Sequence, residues 1–129
     1  MKTDIQDIKD IQTLVDSFYE KVKRDEIIGA LFAHVNWEKH LPVMYLFWEN
    51  ALFFTGGYTG NPLKTHRAFH ERNPLSPEHF AEWQSLFVST VNELFAGEKA
   101  ELAKQRALSI STVMQIKIFH GNADANGLQ

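Results

Sequence analysis

The chain contains no cysteine. That excludes disulfides, thiolate zinc sites, iron–sulfur clusters, C-x-x-C-H haem attachment and nucleophilic thiol chemistry together. Any metal would have to sit on histidine or carboxylate. No stretch approaches the roughly 18 uncharged apolar residues of a membrane span. The opening MKTDIQDIKD is charged throughout and lacks the apolar centre of a signal peptide. A soluble, cytoplasmic protein with no membrane partner is the expectation. An excess of positive charge is missing as well, with 13 Lys+Arg against 16 Asp+Glu. No field exists to gather phosphates, and nucleic acid is not expected as a partner. Nothing alternates with the two-residue period of a strand, so the fold is expected to be all-α.

What is abundant is aromatic: ten Phe, three Trp and three Tyr in 129 residues. Large rings fill a core, but they also line pockets for flat apolar ligands, and the count alone favours neither. The length fits one domain, taken as 1–120, followed by a polar tail over 121–129.

Along the chain, apolar residues recur at helical spacing from Asp4 to about Arg24 (Ile5, Ile8, Ile11, Leu14, Val15, Phe18, Val22), with a kink allowed near Asp10. DEIIGALF (Asp25 to Phe32) predicts a turn and a short helical piece. Asn36 can cap a helix running to about Phe54. TGGYTGNP reads as loop. Pro62 suits the first turn of a short helix to about Glu71, which Pro74 closes. Ser76, Pro77 and Glu78 read as cap, first position and first-turn acid of a helix carrying Phe80, Trp83, Phe87, Val91 and Leu94 on one face. After Gly97 a last helix, Glu98 to about Phe119, shows Ala103, Ala107, Ile110, Met114 and Ile118.

The segment HLPVMYLFWENALFF (His40 to Phe54) is apolar nearly all round the helical wheel. It must be covered on most faces. Two readings stay open: a central helix wrapped by its neighbours, or a helix whose remaining surface is covered by a flat apolar cofactor. Pro42 is tolerated in a first turn, so the helix proper can begin near Leu41 or Pro42 and leave His40 at its entrance.

Six histidines are present. His34, His79 and His120 read as solvated. His66 and His70 share a helix face, because residues four apart are neighbours there. Two such imidazoles can hold zinc, and a His-based zinc hydrolase is one reading, although Arg67 lies within the pair and no third ligand stands out. Haem asks for less: one imidazole on iron, an apolar slot and a few polar groups on the opposite face.

Four segments carry a resemblance: FYEKVKRDEIIGALF (Phe18 to Phe32), WEKHLPVMYLFW (Trp37 to Trp48), GNPLKTH (Gly60 to His66) and LSPEHFAEW (Leu75 to Trp83). Together, in order and across nearly the whole chain, they resemble the third group of the truncated haemoglobins. The resemblance implies a two-over-two helical sandwich around haem b. It implies His66 as proximal iron ligand, and Tyr19, Trp83 and His40 on the distal side, with the orientation of His40, inward or outward, left open. Phe18, Phe32, Phe47, Trp48 and Phe53 would form the pocket wall, and Lys64, Arg72 and Tyr58 are the candidates for the haem propionates. His70 becomes a bystander near the haem edge. A buried tyrosine hydroxyl and an indole N–H are the donors that stabilise a polarised diatomic ligand.

The expected function is that of a haem protein binding O₂, NO and CO. Several donors would hold O₂ tightly and slow its release. NO dioxygenation or peroxide handling therefore suits the pocket better than bulk oxygen transport. Redox turnover would need a separate reductase, since no flavin or nicotinamide domain is recognised. A helical interaction module, with the aromatic face binding a partner helix, is the rival reading beside the zinc hydrolase.

Overall fold

A computed structural model describes residues 2–56 and 75–119 of the chain. The expected short helix from Pro62 to Glu71, its closing Pro74, His120 and the tail 121–129 lie outside the described residues.

Helix α1 (Ile8–Arg24) begins where the Asp7 side chain accepts a hydrogen bond from Asp10 N. That is later than the apolar spacing from Asp4 suggests. The Asp4 side chain is engaged at the other end of the fold. Its two carboxylate oxygens accept from Lys99 N and Ala100 N at 2.9 and 2.8 Å, so residues 4–7 run to that site instead of coiling. The buried side of α1 carries Ile11, Leu14, Val15, Phe18, Tyr19 and Val22, and Lys21, Lys23 and Arg24 in the last turn suit its negative dipole end. A 3-10 helix follows at Gly29–Phe32, matching the short helical piece expected there. Gly29 permits it, because a Cβ at that position would lie 3.0 Å from the Lys23 carbonyl oxygen.

Helix α2 (Trp37–Phe53) is capped by Asn36, whose side chain accepts from Lys39 N. It does not wait for Pro42. The proline sits inside the helix, where it removes only its own amide bond to the preceding turn, and His40 therefore belongs to the first turn and not to an entrance before it. Helix α3 (Pro77–Leu94) starts as its Ser-Pro-Glu sequence predicts, with one correction. His79 is half-buried and part of the cap: its Nδ1 accepts from Ser76 N at 3.1 Å while Ser76 Oγ accepts from His79 N. An imidazole here replaces the usual glutamate of a capping box. Helix α4 (Glu98–Phe119) closes the described fold.

Each helix packs on two others: α1 on α2 and α3, α3 on α4, and α4 on α2. The four form a closed ring of the two-over-two kind, with no strand among the described residues. Buried Ala100, Ala103 and Ala107 let the α4 backbone approach its neighbours closely. Across the diagonal from α2 to α3, the space is spanned by rings. Trp48 stacks on Phe87 at 4.6 Å, Phe87 stacks on Trp83 at 5.9 Å, and Phe18 of α1 meets Phe87 edge-on at 5.3 Å. Burying one such side chain stabilises the fold by about 1.5–3 kcal/mol. Beside this core the hydroxyl of Tyr45 on α2 donates a short hydrogen bond to Asp16 on α1. Burial, this bond and the Asp16 charge push the phenol up to about 12. No described helix is long and apolar enough to cross a membrane.

Asp4 serves as a cap supplied from the far end of the chain. Gly97, whose carbonyl accepts from Glu101 N, stands at the head of α4 with φ +142° and no side chain to offer. A Cβ there would fall 2.5 Å from Asp4 Cγ. Gly97→Ala should therefore destabilise the fold by about 1–3 kcal/mol, and Asp4→Ala by about 1 kcal/mol. Because the new methyl expels the carboxylate, the two losses should sum to more than that of the double mutant in denaturant titrations.

Candidate functional site

Phe18 and Tyr19 are adjacent on the buried side of α1, with their rings edge to face at 4.8 Å, and each ring reaches a different set of neighbours. Phe18 reaches towards α3, meeting Trp83 at 5.8 Å and Phe87 at 5.3 Å. Tyr19, 7 % exposed, reaches towards the 3-10 helix and the start of α2. Its ring lies 6.2 Å from Phe32, 5.1 Å from Trp37 and 5.1 Å from His40. His40 is half-buried, with its Nε2 shielded from solvent.

The ring neighbours of Tyr19 are all aromatic. Desolvation by this surround pushes its phenol well above the ordinary value, so the hydroxyl keeps its proton. Tyr19 is a hydrogen-bond donor throughout the working pH range.

The structure thus brings Tyr19, His40 and Phe32 into one cluster and joins Trp83 to it through Phe18. Phe47 and Trp48 sit edge to face at 5.3 Å on α2, with Trp48 buried in the core stack. Phe53 lies elsewhere, at the far end of α2, where the Lys99 ammonium stands 5.1 Å over its ring and donates to the Leu52 carbonyl at 2.6 Å. His66, His70, Tyr58, Lys64 and Arg72 lie outside the described residues. No group of three metal-ligating side chains occurs among the described residues.

One member of the cluster is not marked as a site residue by the sequence: Trp37. It touches Tyr19, lies 5.5 Å from His40 and stacks on Phe32 at 6.2 Å and 23°. On its other side the Lys23 ammonium stands 4.6 Å from the ring centroid, a cation–π contact worth about 0.5–1 kcal/mol at an exposed position. A signal does exist in the three-residue step from Trp37 to His40, which places both on one face of a helix beginning at Asn36.

Helix α2 is less wrapped than its composition demands. Trp48 and Leu52 are fully buried, yet Val43 and Leu46 are 44 % and 43 % exposed. His40, Val43, Met44 and Phe47 follow helical spacing; on this face Val43 is exposed, while Met44 and Phe47 are half-buried against the core.

No family model matches the chain. It is 30% identical over 125 residues to the group 3 truncated haemoglobin of Campylobacter jejuni, an alignment covering 92% of this chain and 96% of that protein. A crystal structure of group III truncated haemoglobin from Campylobacter jejuni matches the fold with TM-score 0.78 at 30% identity, covering 89% of this chain and 93% of the other.

Next to the cluster, two carboxyls meet. Asp25 ends α1 and its Oδ2 accepts from Ile27 N and Ile28 N, both at 3.0 Å. Its side chain also shares a hydrogen bond with Glu82, the residue before Trp83. That bond, then burial, then repulsion from Asp25 and Glu78 raise the Glu82 carboxyl above its ordinary value. Asp25 moves the other way: burial pushes it up, but the bond from Glu82 and the amides of Ile28 and Ile27 hold it below the ordinary value. A raised carboxyl stabilises the fold at low pH and loses that contribution as pH rises through its folded value. Once the Glu82 carboxyl ionises, above its folded value, the pair repels. Glu82→Gln keeps a permanent donor, so it should raise the melting temperature by about 1–3 °C where Glu82 is ionised, with the advantage vanishing in thermal scans as pH falls through the folded value of Glu82.

Proposed function

Since the chain belongs to the group III truncated haemoglobins, we propose that it is a haem b protein that binds O₂, NO and CO, with His66 on the iron and Tyr19, Trp83 and His40 around the bound ligand. The observation that carries this reading is the single α2 face running from His40 through Val43 to Phe47. It joins a shielded imidazole, packed on a protonated phenol, to the exposed apolar side chain of Val43, which no described helix covers. A flat apolar ring with one polar centre is the kind of group that such a surface fits.

When bound, the haem supplies an iron centre at which a diatomic ligand is held. The chain supplies the rest. Desolvation keeps the Tyr19 hydroxyl protonated and donating on the distal side, and the Trp83 indole N–H donates without titrating. Each such hydrogen bond contributes about 1–3 kcal/mol where water is excluded. Phe18, Phe32, Phe47 and Trp48 are the apolar wall in this reading, Phe53 standing apart under Lys99, and Lys64, Arg72 and Tyr58 would meet the propionates. Two fixed donors hold O₂ tightly and release it slowly. The pocket therefore suits NO dioxygenation or peroxide handling better than bulk transport, with electrons delivered by a separate reductase.

An absorption spectrum of the purified protein tests the cofactor. An intense Soret band should be present, be lost in His66→Ala and survive in His70→Ala. A colourless protein that takes up no added hemin removes the reading, and bound zinc in its place would favour the His66/His70 hydrolase. The distal assignment is tested by stopped flow: Tyr19→Phe and Trp83→Phe should each speed O₂ dissociation about tenfold or more. Unchanged rates in both variants would remove the roles given to those residues.

A further inference from the structure

A surface groove lies outside the aromatic cluster, lined by Lys23, Asp25, Gly29, Ala30, Phe32 and Trp37 among others. Two of these residues belong to both sides. Phe32 and Trp37 line the groove and also touch the Tyr19 ring. They are held differently. Phe32 is carried by the 3-10 helix, whose Gly29 is seated directly on the backbone carbonyls of Val22 and Lys23. Trp37 is the first residue of α2, and its outer face is covered by an ammonium. That ammonium belongs to a solvent-exposed lysine, which it shares with the Glu20 carboxylate at 3.2 Å. A contact of this strength breaks often on the timescale of side-chain motion. With Trp37 swung outward, the groove would open directly onto Tyr19 and His40.

We propose that this groove is the mouth of a route by which small uncharged diatomic ligands reach the distal side, and that Trp37, latched by Lys23, is the ring that closes it. The proposal rests on the haem-binding reading above. It has a kinetic signature that a packing role lacks. A closing ring changes the barrier between outside and inside but neither end state, so its removal accelerates binding and release by the same factor. A residue that merely positions Tyr19 or His40 would instead alter release of the hydrogen-bonded ligand and shift the dissociation constant.

The test uses the haem-loaded protein with CO, which separates access from hydrogen bonding because it accepts hydrogen bonds weakly. In Trp37→Ala the association and dissociation rates should both rise about tenfold while Kd stays unchanged. Trp37→Phe and Lys23→Met should show the same paired change at smaller size, and they keep the test open if the alanine variant fails to fold. A second readout needs no ligand. The difference in acrylamide quenching of fluorescence between the parent and Trp37→Phe isolates Trp37, and Lys23→Met should increase that quenching about twofold as the latch is lost. Hemin uptake with unchanged CO rates in all three variants overturns this inference alone. A rise in dissociation without a matching rise in association overturns it as well, in favour of a positioning role. A wild-type chain that takes up no hemin overturns the functional reading and this inference together.

Discussion

The fold depends on a gap that helices cannot close by themselves. In a ring where each helix touches two neighbours, one diagonal must be filled by side chains long enough to meet across it. Here that diagonal is filled by the stack of Trp48, Phe87 and Trp83, with Phe18 set edge-on against it. Rings are the efficient filler, since each buries a large apolar area with few rotatable bonds to freeze. The same stack fixes where the two adjacent side chains on α1 can go. With Phe18 committed to the diagonal, Tyr19 one residue later turns its ring towards the 3-10 helix and the start of α2 at the edge of the same core. The polar end of the site is thus a geometric by-product of how the apolar core is filled.

Trp83 joins both halves. It is the outermost ring of the stack, and in the functional reading its indole N–H would also donate to a bound ligand. Glu82 is hydrogen-bonded to Asp25 at the end of α1, while Lys23, two residues before Asp25, stands over Trp37. The C-terminal turn of α1 is therefore where acidic, basic and aromatic contacts to three different elements converge, and small motions there reach Tyr19 through a single ring.

Much of the helical layout is legible in the sequence because caps and apolar spacing are local. Asn36 and Ser76 start helices where their side chains predict, and α4 spans the expected residues. What is not legible depends on partners distant in the chain. The start of α1 lies at Ile8 and not near Asp4 because the Asp4 carboxylate is drawn to α4, which no local window contains. His79, which reads as solvated, completes a cap, a role that an imidazole rarely takes. Pro42 suggests a later start for α2 than Asn36 dictates, and the cap prevails, which sets His40 within the first turn. Within the site, Tyr19, His40 and Phe32 could be named from segment resemblance, yet their mutual contacts could not. Trp37 carries no such mark because its significance lies in being shared by two surfaces, a property of the folded shape.

The clasp between Asp4 and the head of α4 has a consequence for how the chain assembles. It joins residues 95 and 96 positions apart, whereas α1 and α2 are neighbours in sequence and can pair while synthesis continues. Asp4 must therefore wait, undocked, until Ala100 has emerged from the ribosome. Long-range closure of this kind comes after local pairing. Interactions formed only after the transition state act chiefly on the rate of unfolding. Asp4 and Gly97 thus set how long the native state lasts once formed, more than how quickly it is reached.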